Sequence, residues 1–164
     1  MEDVRRKRED SLPAQYFRAG AGAVIINEAG LVLALERADL PGAWQLPQGG
    51  LDEKEEPLET AYREASEETG IPGKKLELLD SLPEPLAYEL PFGLRTGKTG
   101  RGQVQYWFLF RFNSSDEAID ILGGGEFRAW QWMPFSKLTE SVAEFRRPIY
   151  LRLAERFKAY LSPL

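Results

Sequence analysis

The spacing of apolar residues changes along this chain, and each change marks a new element. Residues 20–27 (AGAVIINE) and 31–36 (LVLALE) are short apolar runs joined by Glu28-Ala29-Gly30, a hairpin-like turn, so both read as strands. A shorter strand is expected near Trp44–Leu46, leading into a turn at Gly49-Gly50. The period then lengthens. Leu58, Tyr62, Ala65 and Thr69 recur at i, i+4, i+7 and i+11, the buried stripe of a helix. Pro57 suits its first turn, where a missing N–H costs nothing, and Gly70 followed by Pro72 is a stop signal. Strands are expected near 76–81 and 86–90 and, most clearly, at 103–112 (QVQYWFLFRF). There Val104, Tyr106, Phe108, Phe110 and Phe112 share one face while Trp107 and Leu109 take the other, the pattern of a strand buried on both sides. Residues 127–133 make a further strand, and 142–161 a long amphipathic helix with Ile149, Leu153, Ala154 and Phe157 inward. A mixed β-sheet flanked by helices follows: an α/β fold of the α/β/α sandwich type.

Composition narrows the class. With 164 residues, 43% of them hydrophobic, the chain can build one domain with a real core. We expect a flexible lead-in at 1–15 and one domain at 16–164. There is no apolar run of 18 residues, and the charged start MEDVRRKRED is no secretory signal, so no membrane is expected. The absence of cysteine is compatible with a cytoplasmic location. The absence of histidine leaves proton work to carboxylates, Lys, Tyr or metal-bound hydroxide. A net charge of −5 argues against DNA as a partner, though it leaves room for a local basic groove. Oligomeric state is left open.

The chemistry concentrates in one segment. Glu64, Glu67 and Glu68 stand at i, i+3 and i+4, so the helix crowds them within reach of one ion. Like charges at that spacing destabilise a helix by roughly 0.2–0.5 kcal/mol per pair, a cost that a cation relieves. Oxygen ligands without His or Cys suit Mg²⁺, with Mn²⁺ as a substitute. Two loops add candidates. Residues 92–102 (FGLRTGKTGRG) combine four glycines with Arg95, Lys98 and Arg101, and Gly123-Gly124-Gly125 delivers Glu126 to the start of a strand.

The segment carries more than its acids. Gly49, Glu55, Arg63, Glu64, Ala65, Glu67, Glu68, Gly70 and Ile71 match G-x5-E-x7-R-E-U-x-E-E-x-G-U at each specified position. In this the chain resembles the Nudix hydrolases. The stretches Trp44–Gly50, Gly102–Leu109, Glu126–Trp130 and Phe145–Tyr150 extend the resemblance over residues 17 to about 157, toward the branch of RNA 5′-pyrophosphohydrolases and dinucleoside polyphosphate hydrolases.

The resemblance implies roles. Glu64, Glu67 and Glu68, with the carbonyl of Gly49, would ligate Mg²⁺, and Glu126 would be a distal acid reaching a metal or its water. Glu55 and Arg63 would form a supporting ion pair. Arg18 resembles an arginine that clamps the 5′ end of the substrate, and Arg37 a phosphate-binding arginine. Phe145 and Arg146 resemble an aromatic–basic pair near a nucleobase, with Tyr88 also placed for substrate. Glu67 or Glu68 is the favoured base, with Glu126 competing. In this branch lysines often occupy the slots of Val104 and Tyr106, proline that of Gly125 and an acid that of Pro148. The missing lysines tilt the expected substrate toward a dinucleoside tetraphosphate, cleaved asymmetrically, with a 5′-triphosphate RNA end as the alternative. A catalytically silent nucleotide-binding module would predict a damaged acidic triad; here the triad is intact.

Overall fold

In the sheet the alternation read from the sequence becomes two separate cores. A computed structural model describes residues 15–163; apart from Gln15, the expected lead-in lies outside the described residues. Two long strands, β1 (Phe17–Ile26) and β7 (Gly102–Phe112), run parallel through the sheet, paired from Phe17 and Gly102 to Ile26 and Arg111. Around them lie β2 (Val32–Arg37), β3 (Trp44–Gln45), β4 (Gln48–Gly50), β5 (Leu76–Ser81), β6 (Leu86–Glu89) and β8 (Phe127–Met133), all in antiparallel pairings. Val24, Ile26, Trp107 and Leu109 face one core, which is closed by α2 (Phe135–Ser141) and α3 (Arg147–Phe157). Ala21, Ala23, Ile25, Phe110 and Phe112 face the other, closed by Ala61 and Ala65 of α1 (Pro57–Thr69). This is the expected α/β/α sandwich. No helix among the described residues is long and apolar enough to cross a membrane.

Two expectations need correction. Gly49 and Gly50 do not form a turn: Gln48–Gly50 is a short strand, with Gly20, Ala21 and Gly22 of β1 opposite Gly50, Gly49 and Gln48. A side chain at Gly20 would place its Cβ 2.7 Å from the Gly49 carbonyl, so small residues in β1 let this strand approach. The helix expected at 142–161 is shorter, running from Arg147 to Phe157. Residues 135–141 form a separate helix, Val142 and Ala143 are extended, and a 3₁₀ turn at Glu144–Arg146 leads into α3. Pro148 stands in the first turn of α3, where its missing N–H is tolerated; it cannot bond the carbonyl four residues back, in keeping with the 3₁₀ turn that precedes α3. Ile149, Leu153 and Phe157 are buried as expected, joined by Tyr150, whose hydroxyl accepts the Leu46 N–H at 2.8 Å. That bond ties α3 to the segment that carries β4.

Candidate active site

α1 starts at Pro57 and stops at Gly70, whose left-handed φ of 73° lets its N–H reach the Ser66 carbonyl at 2.9 Å. The stripe is partly as expected: Ala65 and Thr69 are buried, Leu58 and Tyr62 half-buried, and Glu68 is buried as well. Glu68 therefore turns inward from the acidic face. One of its oxygens accepts the Gln48 N–H at 3.0 Å. Burial holds its carboxyl well above the usual range, and the charges of Glu64 and Glu126 push the same way. Glu64 is raised too, chiefly by burial, with Arg63 opposing.

Arg63 is the hub of the loop and helix. Its Nε and Nη2 donate to the two Glu55 oxygens at 2.8 and 2.9 Å, and Nη2 also donates to the Gly50 carbonyl at 2.8 Å. Nη1 reaches Glu64 at 2.8 Å and, more loosely, Glu67 at 3.4 Å. Glu55 takes further bonds from Thr60 Oγ1 at 2.6 Å and from the Asp52 N–H at 3.0 Å. With the Arg63 bonds the largest cause, its carboxyl is held at about 2. The pairing of Glu55 with Arg63 read from the sequence is thus present.

A cavity of about 600 Å³ opens beside Glu68. It brings together Arg37, Gln45, Gln48, Glu68, Glu126 and Arg146, residues drawn from four regions of the chain. Arg146 donates to Gln45 Oε1 at 2.6 Å and lies 5.4 Å from the centre of the Phe145 ring, which packs 5.8 Å from Tyr88. Tyr88 donates to Gln103 Oε1 at 2.9 Å, and Gln105 bonds both Gln103 and Gln48. These glutamines make a hydrogen-bonded chain that runs from Gln48, on the cavity wall beside Glu68, to Tyr88 behind it; the sequence reading missed it, and the alternating Gln103 and Gln105 were its available signal. Arg18 is not on the cavity wall, and its guanidinium lies over Gly50 instead. In the 92–102 loop, Glu89 pairs with Arg101 at 2.7 Å and with Arg95 at 3.7 Å, so two of its three cations are already matched. Arg147 is structural, donating to the Thr139 carbonyl at 3.1 Å.

The residues suit a hard cation in type and charge. Glu68 is a buried carboxyl, its ionised form disfavoured by burial and by the charges of Glu64, Glu126 and Glu67, with the Gln48 N–H as its hydrogen-bond partner. Among the described residues no three acids yet converge as a cage, because Arg63 draws Glu64 and Glu67 to itself.

The NUDIX domain profile matches residues 16–153. The chain belongs to the Nudix hydrolase family. It is similar to an RNA pyrophosphohydrolase of Cereibacter sphaeroides, 39% identical over 151 residues that cover 89% of this chain and 93% of that protein. It is also similar to the chloroplastic Nudix hydrolase 26 of Arabidopsis thaliana, 35% identical over 92% of this chain and 73% of that one. Among solved structures, a C. elegans Ap4A hydrolase complex superposes with a TM-score of 0.67 at 24% identity, covering 87% of this chain and 98% of that one. The E. coli dihydroneopterin triphosphate pyrophosphohydrolase gives a TM-score of 0.70 at 21% identity, covering 87% and 99%. At that identity the two structures speak for the fold alone.

Proposed function

We propose that this Nudix pyrophosphohydrolase uses Mg²⁺, or Mn²⁺ in its place, to cleave a phosphoanhydride bond of a 5′-polyphosphorylated nucleotide, with the 5′ end of RNA preferred. The observation that carries the reading is the buried Glu68 carboxylate on the wall of a cavity that also presents Arg37 and Arg146. An acid suited to a cation, a guanidinium for phosphate and a second one beside an aromatic ring share one space. Glu64, Glu67 and Glu68, with the Gly49 carbonyl, would hold the ion. When bound, the metal neutralises phosphate charge and makes water more acidic. Glu67 or Glu68 takes the proton, with Glu126 as the competing acid. Arg37 holds phosphate oxygens, the Arg146–Phe145–Tyr88 group holds the base, and Arg18 at the Gly50 backbone steadies the 5′ end. The Glu55–Arg63 pair keeps loop and helix in register. A cytoplasmic location belongs to the same proposal.

Two observations favour RNA over the dinucleoside tetraphosphate expected from the sequence. Similar relatives carry the name RNA pyrophosphohydrolase. In addition, Tyr106 packs toward α1, and Val104 shares that face by strand alternation, opposite Gln103 and Gln105. Lysines lost at those two slots are therefore no loss to the cavity wall. Asymmetric hydrolysis of a dinucleoside tetraphosphate remains the second reading, favoured by the small number of cations on that wall. The deciding experiment measures phosphate and pyrophosphate released from short 5′-triphosphate RNAs, dinucleoside tetraphosphates, free nucleotides and nucleotide sugars. Turnover confined to nucleotide sugars would rule out both readings.

A further inference from the structure

Arg37, the cation that the proposed function assigns to phosphate, already holds an anion. Its Nε donates to Asp39 Oδ1 at 2.9 Å and its Nη2 to Asp39 Oδ2 at 2.7 Å, a two-pronged grip of the kind guanidinium offers to carboxylate and phosphate alike. Asp39 is set there by a tight loop. The Arg37 N–H donates to the Ala43 carbonyl at 2.9 Å, the Ala43 N–H to Leu40 at 3.0 Å, and the Gly42 N–H to Glu36 Oε2 at 2.8 Å. The Ala38 N–H donates to the Glu126 carbonyl at 2.9 Å, so the loop is fastened to the strand that brings in the distal acid. Asp39 stays 68% exposed and lines the same cavity, where Arg37 and Arg146 stand against Asp39, Glu68 and Glu126.

We propose that Asp39 is an internal counter-anion for Arg37: it occupies the guanidinium fork in the free protein, and the substrate's phosphate displaces it. The inference rests on Arg37 being a phosphate contact. A competing carboxylate penalises every anion at this subsite equally. A ligand with many other contacts overcomes the penalty, whereas a small phosphate product held by few does not. Asp39 thus weakens retention of a small phosphate product, while the relative affinities of anions that engage Arg37 stay the same. The hydrogen bonds of Arg37 are the largest cause of a lowered Asp39 carboxyl, which agrees with the two-pronged geometry.

The test uses the full chain with Mg²⁺ and the non-hydrolysable probe methylenediphosphonate, titrated calorimetrically into wild type, Asp39→Asn, Arg37→Ala and the double variant. An exposed ion pair of ordinary strength sets the expected scale: Asp39→Asn should bind the probe about two- to fivefold tighter and lower KM for a 5′-triphosphate RNA by a similar factor. The gain should vanish in the Arg37→Ala background, since Asp39 acts only through Arg37. Asp39→Ser, which also removes the charge, should repeat the result and guards against a fold defect peculiar to one variant. Unchanged or weaker probe binding in both Asp39 variants would overturn the proposal and make Asp39 an orienting partner. If Arg37→Ala alone leaves probe binding unchanged, the phosphate assignment of Arg37 fails first, and the counter-anion role falls with it.

Discussion

Gly49 and Glu64 share one space: a Cβ built on Gly49 would overlap the Glu64 carboxyl group. The strand that supplies a candidate carbonyl ligand and the helix that supplies the acids are therefore packed to contact, with hydrogen as the largest substituent position 49 accepts.

Gly49→Ala should act on turnover more than on the fold. The added methyl must push Glu64 away or move β4, and overpacking of this kind costs about 1–3 kcal/mol. We expect a Tm a few degrees lower and at least about a tenfold loss of kcat, since small misplacements in a catalytic set are costly. Wild-type kcat and Mg²⁺ affinity in this variant would separate Gly49 from the metal site.

Glu67→Gln and Glu68→Gln should both lose about 10²-fold or more in kcat, as expected for removal of an acid–base group, and they should differ in stability. Glu67 is exposed, so its amide should leave the Tm of the metal-free protein within about a degree. Glu68 is a carboxyl whose ionised form is disfavoured by burial and by the charges of Glu64, Glu126 and Glu67, so its amide should raise that Tm at neutral pH and above. A lower Tm for Glu68→Gln without metal would mean that its bond from the Gln48 N–H outweighs the repulsion.

These two acids show how far the sequence could be read. The motif lies within 23 consecutive residues; helix geometry fixes the spacing of Glu64, Glu67 and Glu68, while the pairing of Glu55 with Arg63 was legible only through the family resemblance. The cavity was not legible. Arg146 meets Gln45 across 101 positions and Tyr150 meets Leu46 across 104, pairings that only the folded sheet determines. Periodicity placed the last helix at 142–161 and passed over the short one at Phe135–Ser141, because seven residues give too few repeats of an apolar stripe to stand out. Asp39 went unnoticed because an acid two residues from an arginine is commonplace until both line one cavity.

Arg63→Lys should destabilise the protein and disorder the acids together. Lysine cannot span Glu55, Gly50 and Glu64 from one planar group, and hydrogen bonds to charged partners contribute roughly 1.5–3 kcal/mol each. We expect about 2 kcal/mol or more lost by denaturant titration, and at least a tenfold drop in kcat. A variant with native stability but poor turnover would confine Arg63 to the chemistry.

Stability of the metal-free protein should pass through a maximum near pH 4.5. Glu55 is held at about 2 against an ordinary 4.5, so the unfolded chain takes up its proton first as pH falls. Its contribution is complete above about 4.5 and is lost as pH falls toward 2. Glu64 and Glu68 are shifted upward, so the folded state binds their protons more tightly. Their contribution is present below about 4.5 and is lost as pH rises through their folded values. Millimolar Mg²⁺ binds the ionised folded form and should flatten that upper limb while raising Tm, an effect EDTA reverses. A Tm–pH curve that Mg²⁺ leaves unchanged at neutral pH would count heavily against a metal site.

Phe145→Ala separates base recognition from phosphate chemistry. The Phe145 ring lies between Arg146 at 5.4 Å and Tyr88 at 5.8 Å, and the Tyr88 hydroxyl is already held by Gln103. A base stacked on this group would gain from the aromatic face and the guanidinium together, about 1–3 kcal/mol by analogy with other stacking platforms. Removing the ring should raise KM for a 5′-triphosphate RNA by about ten- to a hundredfold, with a much smaller change in kcat at saturation. Inorganic tripolyphosphate has no base to lose, so its affinity should stay within about twofold of wild type. Arg37→Ala should show the complementary pattern, weakening both ligands and lowering kcat as well if its phosphate contact tightens while charge moves in the reaction. Equal losses for tripolyphosphate and RNA in Phe145→Ala would mean the ring shapes the cavity instead of reading the base, and base recognition would have to be sought at Arg18.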